Sequence, residues 1–321
     1  MKKPIAITTG EPKSINSEII YKSWKKIKTN NLFLIGNFLL IKKQFKKLGF
    51  KVSLKKITSI NEFKKKNILQ ILDVPLNFKD PFKIKEKDNN IYNLRCLDLA
   101  HMLANKGMVS GIISAPVDKG IFKQKYPGVT EYLAYKNNLK NSEAMMIYNK
   151  QLSVVPITTH IDIKDVIKKI NANLIRKKIL TVNSFFLKNL KKKPKIAILG
   201  INPHNSENRK KSIEKKMIEP MVLKLRKNQV DIFGPFPADT LFIKDNLKKF
   251  DVVIGMYHDQ VLSPFKAICG FDGINITLGL KYIRVSPDHG TGKDLIGRNK
   301  ANALSLINSI KFLNKINYVS S

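Results

Sequence analysis

Short apolar runs alternate with amphipathic stretches along most of this chain, and that alternation limits the folds open to it. Pro4 to Thr8, Leu32 to Ile35, Ile68 to Leu72 and Val109 to Ser114 read as buried strands, with helical patterns at Leu39 to Leu48 and Tyr92 to Asn105 between them. Runs without polar alternation are strands buried on both faces, and strands separated by helices pair in parallel. The expected class is therefore α/β, a mostly parallel sheet covered by helices. Gly10-Glu11-Pro12 breaks the first strand into a helix whose start Asn16 or Ser17 can cap, with Trp24 on its core face. Ala144 to Tyr148 and Leu152 to Ile157 flank Asn149-Lys150-Gln151 as a hairpin, a departure from strict βαβ order that marks a second domain from near residue 126.

Chemistry-bearing residues gather at the ends of the later apolar runs. Val252 to Met256 leads to His258 and Asp259, the place where open α/β sheets put ligand groups. His160 follows S-V-V-P-I-T-T, and His204 follows K-I-A-I-L-G-I-N-P, so three of the five histidines end apolar runs. Two readings stand for these three: hydrogen-bonded structural residues, or imidazoles converging on a divalent metal with an open position. His101, within D-L-A-H-M-L-A, reads as a half-buried structural histidine. Asp239, in the Pro-rich loop Gly234 to Thr240, is either a turn residue or a rigidly presented carboxylate. Ser114 to Gly120 ends a strand and is expected to open a helix that turns backbone N–H groups towards an anion. Strands are expected also at Lys195 to Leu199 and Val230 to Phe233, helices at Ala172 to Leu190 and Ser212 to Lys227, and a final amphipathic helix after the Gly-punctuated loop His289 to Gly297.

Composition narrows the function classes. The net charge of +35 would suggest a polyanion partner, but the cations are overwhelmingly Lys, and Arg occurs only at Arg95, Arg176, Arg209, Arg226, Arg284 and Arg298. Base and phosphate readers favour the forked guanidinium, so the Lys excess reads as solvated helix faces, and no nucleic-acid partner is expected. Cys96 and Cys269 stand in apolar surroundings without metal-binding or redox spacing, as buried thiols of a reducing compartment. The first residues form too short an apolar stretch for a secretory leader, and nowhere do about 18 apolar residues run together, so a cytoplasmic location without membrane attachment is expected. Gly290-Thr291-Gly292 continues through Lys-Asp-Leu-Ile to Gly297 and does not follow a first strand, so no dinucleotide fingerprint is present.

The motifs T-T-G-E-P, S-A-P-V-D-K, G-V-T-E-Y-L, T-T-H, N-P-H, G-P-F-P-A-D-T-L-F, Y-H-D-Q, P-F-K, N-I-T-L-G-L and S-P-D-H-G-T-G, in this order from Thr8 to Gly292, together resemble the 4-hydroxythreonine-4-phosphate dehydrogenase family of pyridoxal phosphate biosynthesis. The resemblance covers nearly the whole chain. It implies two α/β/α domains like those of isocitrate and isopropylmalate dehydrogenases, with the active site in the interdomain cleft and at a dimer interface. Domain one would comprise residues 1–125 and 268–321, and domain two residues 126–267. A divalent metal (zinc, cobalt or magnesium) would be held by His160, His204 and His258, contributed by both subunits of a homodimer. Thr130, Lys266, Asn275 and Arg284 fall on the family's contacts to its small phosphorylated substrate. The loop with Asp288, His289, Gly290, Thr291, Gly292 and Asp294 resembles the segment that cradles the adenosine part of NAD or NADP in the wider superfamily. Asp239 and Asp259 are the candidates for proton handling or for orienting the metal ligands. Two departures bear on substrate choice: Val129 stands where the family usually has His, and Lys13 to Ser17 replaces a Gly- and Pro-rich first loop.

Overall fold

The computed structural model describes residues 3–319 apart from 28, 123–124 and 140–141. The chain divides into two compact units, Met1–Leu133 with Lys281–Ser321, and Ala134–Leu280. Each is an α/β structure.

In the first unit the strands are β1 (Ile5–Thr8), β2 (Leu32–Gly36), β3 (Leu54–Ile57), β4 (Leu69–Asp73), β5 (Gly111–Ser114) and β12 (Arg284–Pro287). They lie in the order β3-β4-β2-β1-β5-β12, and every pair is parallel. The chain moves outward from β1 to β2 and β3, then returns past β1 to β5 through the helix Glu86–Asn105. Right-handed crossovers place that returning helix on the face opposite the helices Asn16–Lys26 and Phe38–Lys47. The switch in direction between β1 and β5 opens a crevice at their C-terminal ends. Neither Asn16 nor Ser17 caps the first helix; Ile15 holds that position without a side-chain bond, and Asn16 Nδ2 donates instead to the Pro116 carbonyl at 2.8 Å. Trp24 is only half-buried, because Ile19, Ile20 and Ser23 form the stripe that meets the core and position 24 lies at its rim.

In the second unit the strands are β6 (Ala144–Tyr148), β7 (Ser153–Pro156), β8 (Ile196–Leu199), β9 (Ile232–Phe236), β10 (Val252–Gly255) and β11 (Ile274–Leu278), in the order β11-β6-β7-β10-β8-β9. The hairpin β6–β7 is antiparallel, as is β6–β11, while β7, β10, β8 and β9 are mutually parallel. Strand β9 runs through Gly234-Pro235 to Phe236, beyond the expected end at Phe233, and its register against β8 shifts between Ala197 and Leu199 to accommodate this. The helix His258–Cys269 buries Val261, Leu262 and Phe265 in a core with Val154, Val253 and Leu199. Three such side chains contribute on the order of 1.5–3 kcal/mol each, which anchors the helix start under His258. The helix expected over Ala172 to Leu190 is α-helical to Phe185 and ends in a wider turn, Phe186–Leu190.

Candidate active site

The four parallel strands of the second unit deliver their loops to one edge. His160 follows β7, His258 opens the helix after β10, His204 lies beyond β8, and Asp239 lies beyond β9. Hydrogen bonds across the strand ends fix these loops: Thr158 N and Oγ1 both donate to the Met256 carbonyl (3.1 and 2.8 Å), and Gly200 N donates to Phe236 O at 3.0 Å. Gln260 is a further clamp, accepting from Met256 N at 2.6 Å and donating to Gly200 O at 2.7 Å, so one amide ties the end of β10 to the end of β8. The imidazole rings of His160 and His258 stand 5.8 Å apart. His258 Nδ1 lies 2.6 Å from Asp259 Oδ1, the pairing that keeps the proton on Nδ1 and offers Nε2 as a donor to a cation. His204 Nε2 is 3.7 Å from Asp239 Oδ2, both side chains largely exposed. Among the described residues no three His, Cys, Asp or Glu side chains stand close enough to hold a metal ion by themselves.

The His204 segment is strained. His204, Asn205, Ser206, Glu207 and Asn208 all have φ between 48° and 59°, a left-handed turn made without glycine. Left-handed backbone costs roughly 1–2 kcal/mol per residue and less for Asn, so the turn persists only because its surroundings hold it. Asn205 Nδ2 donates to Pro235 O at 2.8 Å on one side. On the other, the buried carboxylate of Glu214 accepts from Ile201 N (3.0 Å), Asn202 N (2.9 Å) and Ser206 Oγ (3.1 Å). Burial raises the Glu214 pKa, and the backbone donors outweigh it, leaving the carboxyl below its ordinary range.

Lys266 and Asn275 are not brought to this edge. Lys266 sits eight residues into the helix from His258, about 12 Å along its axis, with its ammonium 5.6 Å from the centre of the Phe271 ring. Asn275 pairs with Ile147, which pairs with Val154 in the middle of β7; the residue is half-buried, and its buried amide oxygen, Oδ1, has no hydrogen-bond partner.

In the first unit the crevice gathers the loops after β1, β5 and β12. Glu11 N donates to Pro116 O at 2.9 Å, and Ile15 N donates to Thr291 O at 3.0 Å, so the first loop is stitched to both others. The Glu11 carboxylate is itself buried and held by Asn89 Nδ2 at 3.1 and 2.9 Å. Arg284, at the start of β12, is 4% exposed; its Nε and Nη2 donate to Ser114 Oγ (3.0 and 2.6 Å) and its Nη1 to Thr130 Oγ1 (3.3 Å). Two residues expected to touch substrate thus meet. Burial pushes the guanidinium down to about 10, against the pull of Glu131, so it stays charged at neutral pH. The α-helix expected after Ser114 does not form: the segment makes only the short turn Lys119–Phe122, and one of its backbone donors, Gly120 N, is taken by Asp118 Oδ1 at 3.1 Å. In the loop after β12, Asp288 N donates to Ser305 Oγ, His289 Nδ1 lies 2.9 Å from Gly290 O, Asp294 is exposed, and Lys293 reaches Asp118 at 2.6 Å. Gly292 at φ 53° lies against Ile15, whereas a side chain at Gly290 or Gly297 would meet open space, leaving the backbone there accessible to a flat ligand. His101, in contrast, is engaged by Tyr282 at 2.8 Å and Asn105 at 3.0 Å within the fold.

Residues 28–313 match the family described as Pyridoxal phosphate biosynthetic protein PdxA. The chain belongs to this family. It is 37% identical to a 4-hydroxythreonine-4-phosphate dehydrogenase of Sulfurihydrogenibium sp. over 96% of each chain. A D-threonate 4-phosphate dehydrogenase of Salmonella typhimurium is 33% identical over 96% of this chain and 97% of that one. The crystal structure of a 4-hydroxythreonine-4-phosphate dehydrogenase from Klebsiella pneumoniae superposes with a TM-score of 0.86 at 32% identity, covering 99% of this chain and 98% of that one. Isocitrate dehydrogenase from Methylococcus capsulatus shares the fold alone, at TM-score 0.51 and 12% identity, over 98% of this chain and 86% of that one. The PdxA-family protein is accordingly an enzyme of the oxidoreductase class, and no helix among its described residues is long and apolar enough to cross a membrane.

Proposed function

We propose that this enzyme oxidises 4-phosphooxy-L-threonine with NAD or NADP and a divalent metal to 2-amino-3-oxo-4-phosphooxybutanoate, which loses carbon dioxide to give 3-amino-2-oxopropyl phosphate. The observation that carries the reading is the charged Arg284 seated on Ser114 and Thr130 in a crevice of an oxidoreductase fold, a buried cation suited to a phosphate or carboxylate. His160, His204 and His258 are the residues that would hold the metal. Their donor set fits, because imidazole suits a divalent metal, Asp259 engages Nδ1 of His258 rather than Nε2, and Asp239 stands beside His204. A second copy of the chain in a homodimer would complete the ligand group. When bound, the nicotinamide accepts the hydride and the metal stabilises negative charge on the substrate oxygen during oxidation and decarboxylation. Arg284 and Thr130 orient the phosphorylated substrate; Asp239 and Asp259, 3.7 and 2.6 Å from His204 and His258, are the candidates for taking up the hydroxyl proton or for holding imidazole orientation. Asp288 to Asp294 would receive the nucleotide, with Gly290 open for close approach.

The second reading is oxidation of a four-carbon phosphorylated sugar acid, threonate or erythronate 4-phosphate, the first of which is the substrate named for the Salmonella typhimurium relative. Val129, at the first position of the helix Val129–Lys136, offers an apolar side chain where the family's imidazole would make a substrate contact, which favours this reading. Absorbance at the nicotinamide band, with each substrate, NAD or NADP and added zinc, cobalt or magnesium, decides between them. Reduction with 4-phosphooxy-L-threonine that His204→Ala abolishes is the expected result. Turnover of the threonate alone would move the enzyme to the second reading, and metal-independent turnover would refute the histidine site.

A further inference from the structure

We infer that Glu214 is a positioning residue whose buried carboxylate holds segment 201–206 in the left-handed turn that presents His204. The inference rests on His204 being a metal ligand, as proposed above. Glu214 is 0% exposed, and both of its oxygens are used. Oε1 accepts from the backbone N–H groups of Ile201 and Asn202 (3.0 and 2.9 Å) and from Asn202 Nδ2 (3.1 Å); Oε2 lies 3.3 Å from the same amide nitrogen and 3.1 Å from Ser206 Oγ. The carboxylate therefore grips the turn two residues before His204 and two residues after it. A run of five non-glycine residues at positive φ relaxes towards ordinary backbone unless something outside the run opposes it. Glu214 and the Asn205–Pro235 bond both tie this run to elements outside it. Gly200 belongs to the same device: a Cβ there would lie 2.1 Å from Asn205 Oδ1 and 3.2 Å from Glu214 Cγ, so the chain must be bare where the two side chains converge.

The test uses the full chain with Glu214→Ala, Glu214→Gln and His204→Ala, read by hydrogen exchange and by zinc affinity in competition with a chromogenic chelator. Glu214→Ala should speed exchange at Ile201 and Asn202 at least tenfold over the rest of the chain and weaken zinc binding about 10- to 100-fold. Glu214→Gln keeps one acceptor oxygen for both N–H groups and should recover most of each, which also covers an alanine variant too unstable to purify. Exchange that rises evenly through the chain, or equally in the Gln and Ala variants, would overturn the inference; so would unchanged zinc affinity in Glu214→Ala. Equal zinc binding by wild type and His204→Ala would refute the metal site instead, while local exchange still decides whether Glu214 holds the turn.

Discussion

Removing the Ser114 hydroxyl tests whether Arg284 is held as the crevice requires. Ser114 Oγ accepts from two guanidinium nitrogens, Nε at 3.0 Å and Nη2 at 2.6 Å, and both residues are buried. Ser114→Ala creates almost no cavity, so the loss is the hydrogen bonding itself. A bond to a charged group is worth about 1.5–3 kcal/mol, and two N–H groups sharing one oxygen do not double that, so the expected destabilisation is about 2–3 kcal/mol. Total stability of roughly 5–15 kcal/mol leaves the variant folded. Equilibrium urea unfolding measures the change, with Ser110→Ala as the control: its hydroxyl makes one neutral bond, to Pro4 O at 3.2 Å, worth about 1 kcal/mol. In the assay, Ser114→Ala should raise KM for the phosphorylated substrate more than it lowers kcat, because the freed guanidinium loses its aim while keeping its charge. A stability loss no larger than that of Ser110→Ala, or an unchanged KM, would refute the argument.

Gly10 at φ 65° leaves no room for a Cβ, which would fall 2.5 Å from the Pro116 carbonyl; Gly10→Ala should cost at least about 2 kcal/mol in urea unfolding and loosen the first loop. Burial pushes the Cys96 thiol up to about 12, so iodoacetamide near pH 8 should label it only after unfolding, as mass spectrometry of the folded and denatured protein will show. The hydrogen bond from Lys293 holds the Asp118 carboxyl below its ordinary 3.8, and the same bond holds the Lys293 ammonium above its ordinary 10.5. A depressed carboxyl stabilises above its unfolded pKa and loses that as pH falls through the folded one; a raised ammonium stabilises below its unfolded pKa and loses that as pH rises through the folded one. The difference in thermal midpoint between wild type and Asp118→Asn should therefore be small, level from roughly pH 5 to 9, and vanish in stronger acid, because a half-exposed pair contributes about 0.5 kcal/mol or less.

Periodicity exposed the strands that are buried on both faces. Ile5–Thr8, Leu69–Asp73 and Val252–Gly255 are mostly apolar and buried along nearly their whole length, and the sequence marks them without help from the fold. Leu54–Ile57 escaped because it is an edge strand, its two lysines facing solvent as edge strands tolerate. Ile274–Leu278 and Arg284–Pro287 escaped for a different reason: a polar residue at or near the start of each, Asn275 or Arg284, reads as a site group before it reads as strand. Asn16 illustrates the limit of capping rules. Its amide suits an N-cap, but a carbonyl one hundred residues away, Pro116 O, competes for it, and only the crossover from β4 to β5 brings that carbonyl near.

The groups that act and the groups that hold them differ in how far the sequence betrays them. His160, His204 and His258 stand out because a strand end is a short-range feature, and parallel strands turn short-range position into a shared edge. Glu214 and Gln260 do not stand out, since a Glu among lysines in K-S-I-E-K-K and a Gln in Y-H-D-Q look like solvated residues until the fold buries or bridges them. The left-handed run at His204 is less visible still: nothing in N-P-H-N-S-E-N demands positive φ, and Asn205 and Asn208 merely tolerate it. Such a conformation is chosen by its restraints. A substitution at Glu214 or Asn205 should therefore alter His204 more than a substitution at Glu207, which lies in the same turn with its side chain exposed.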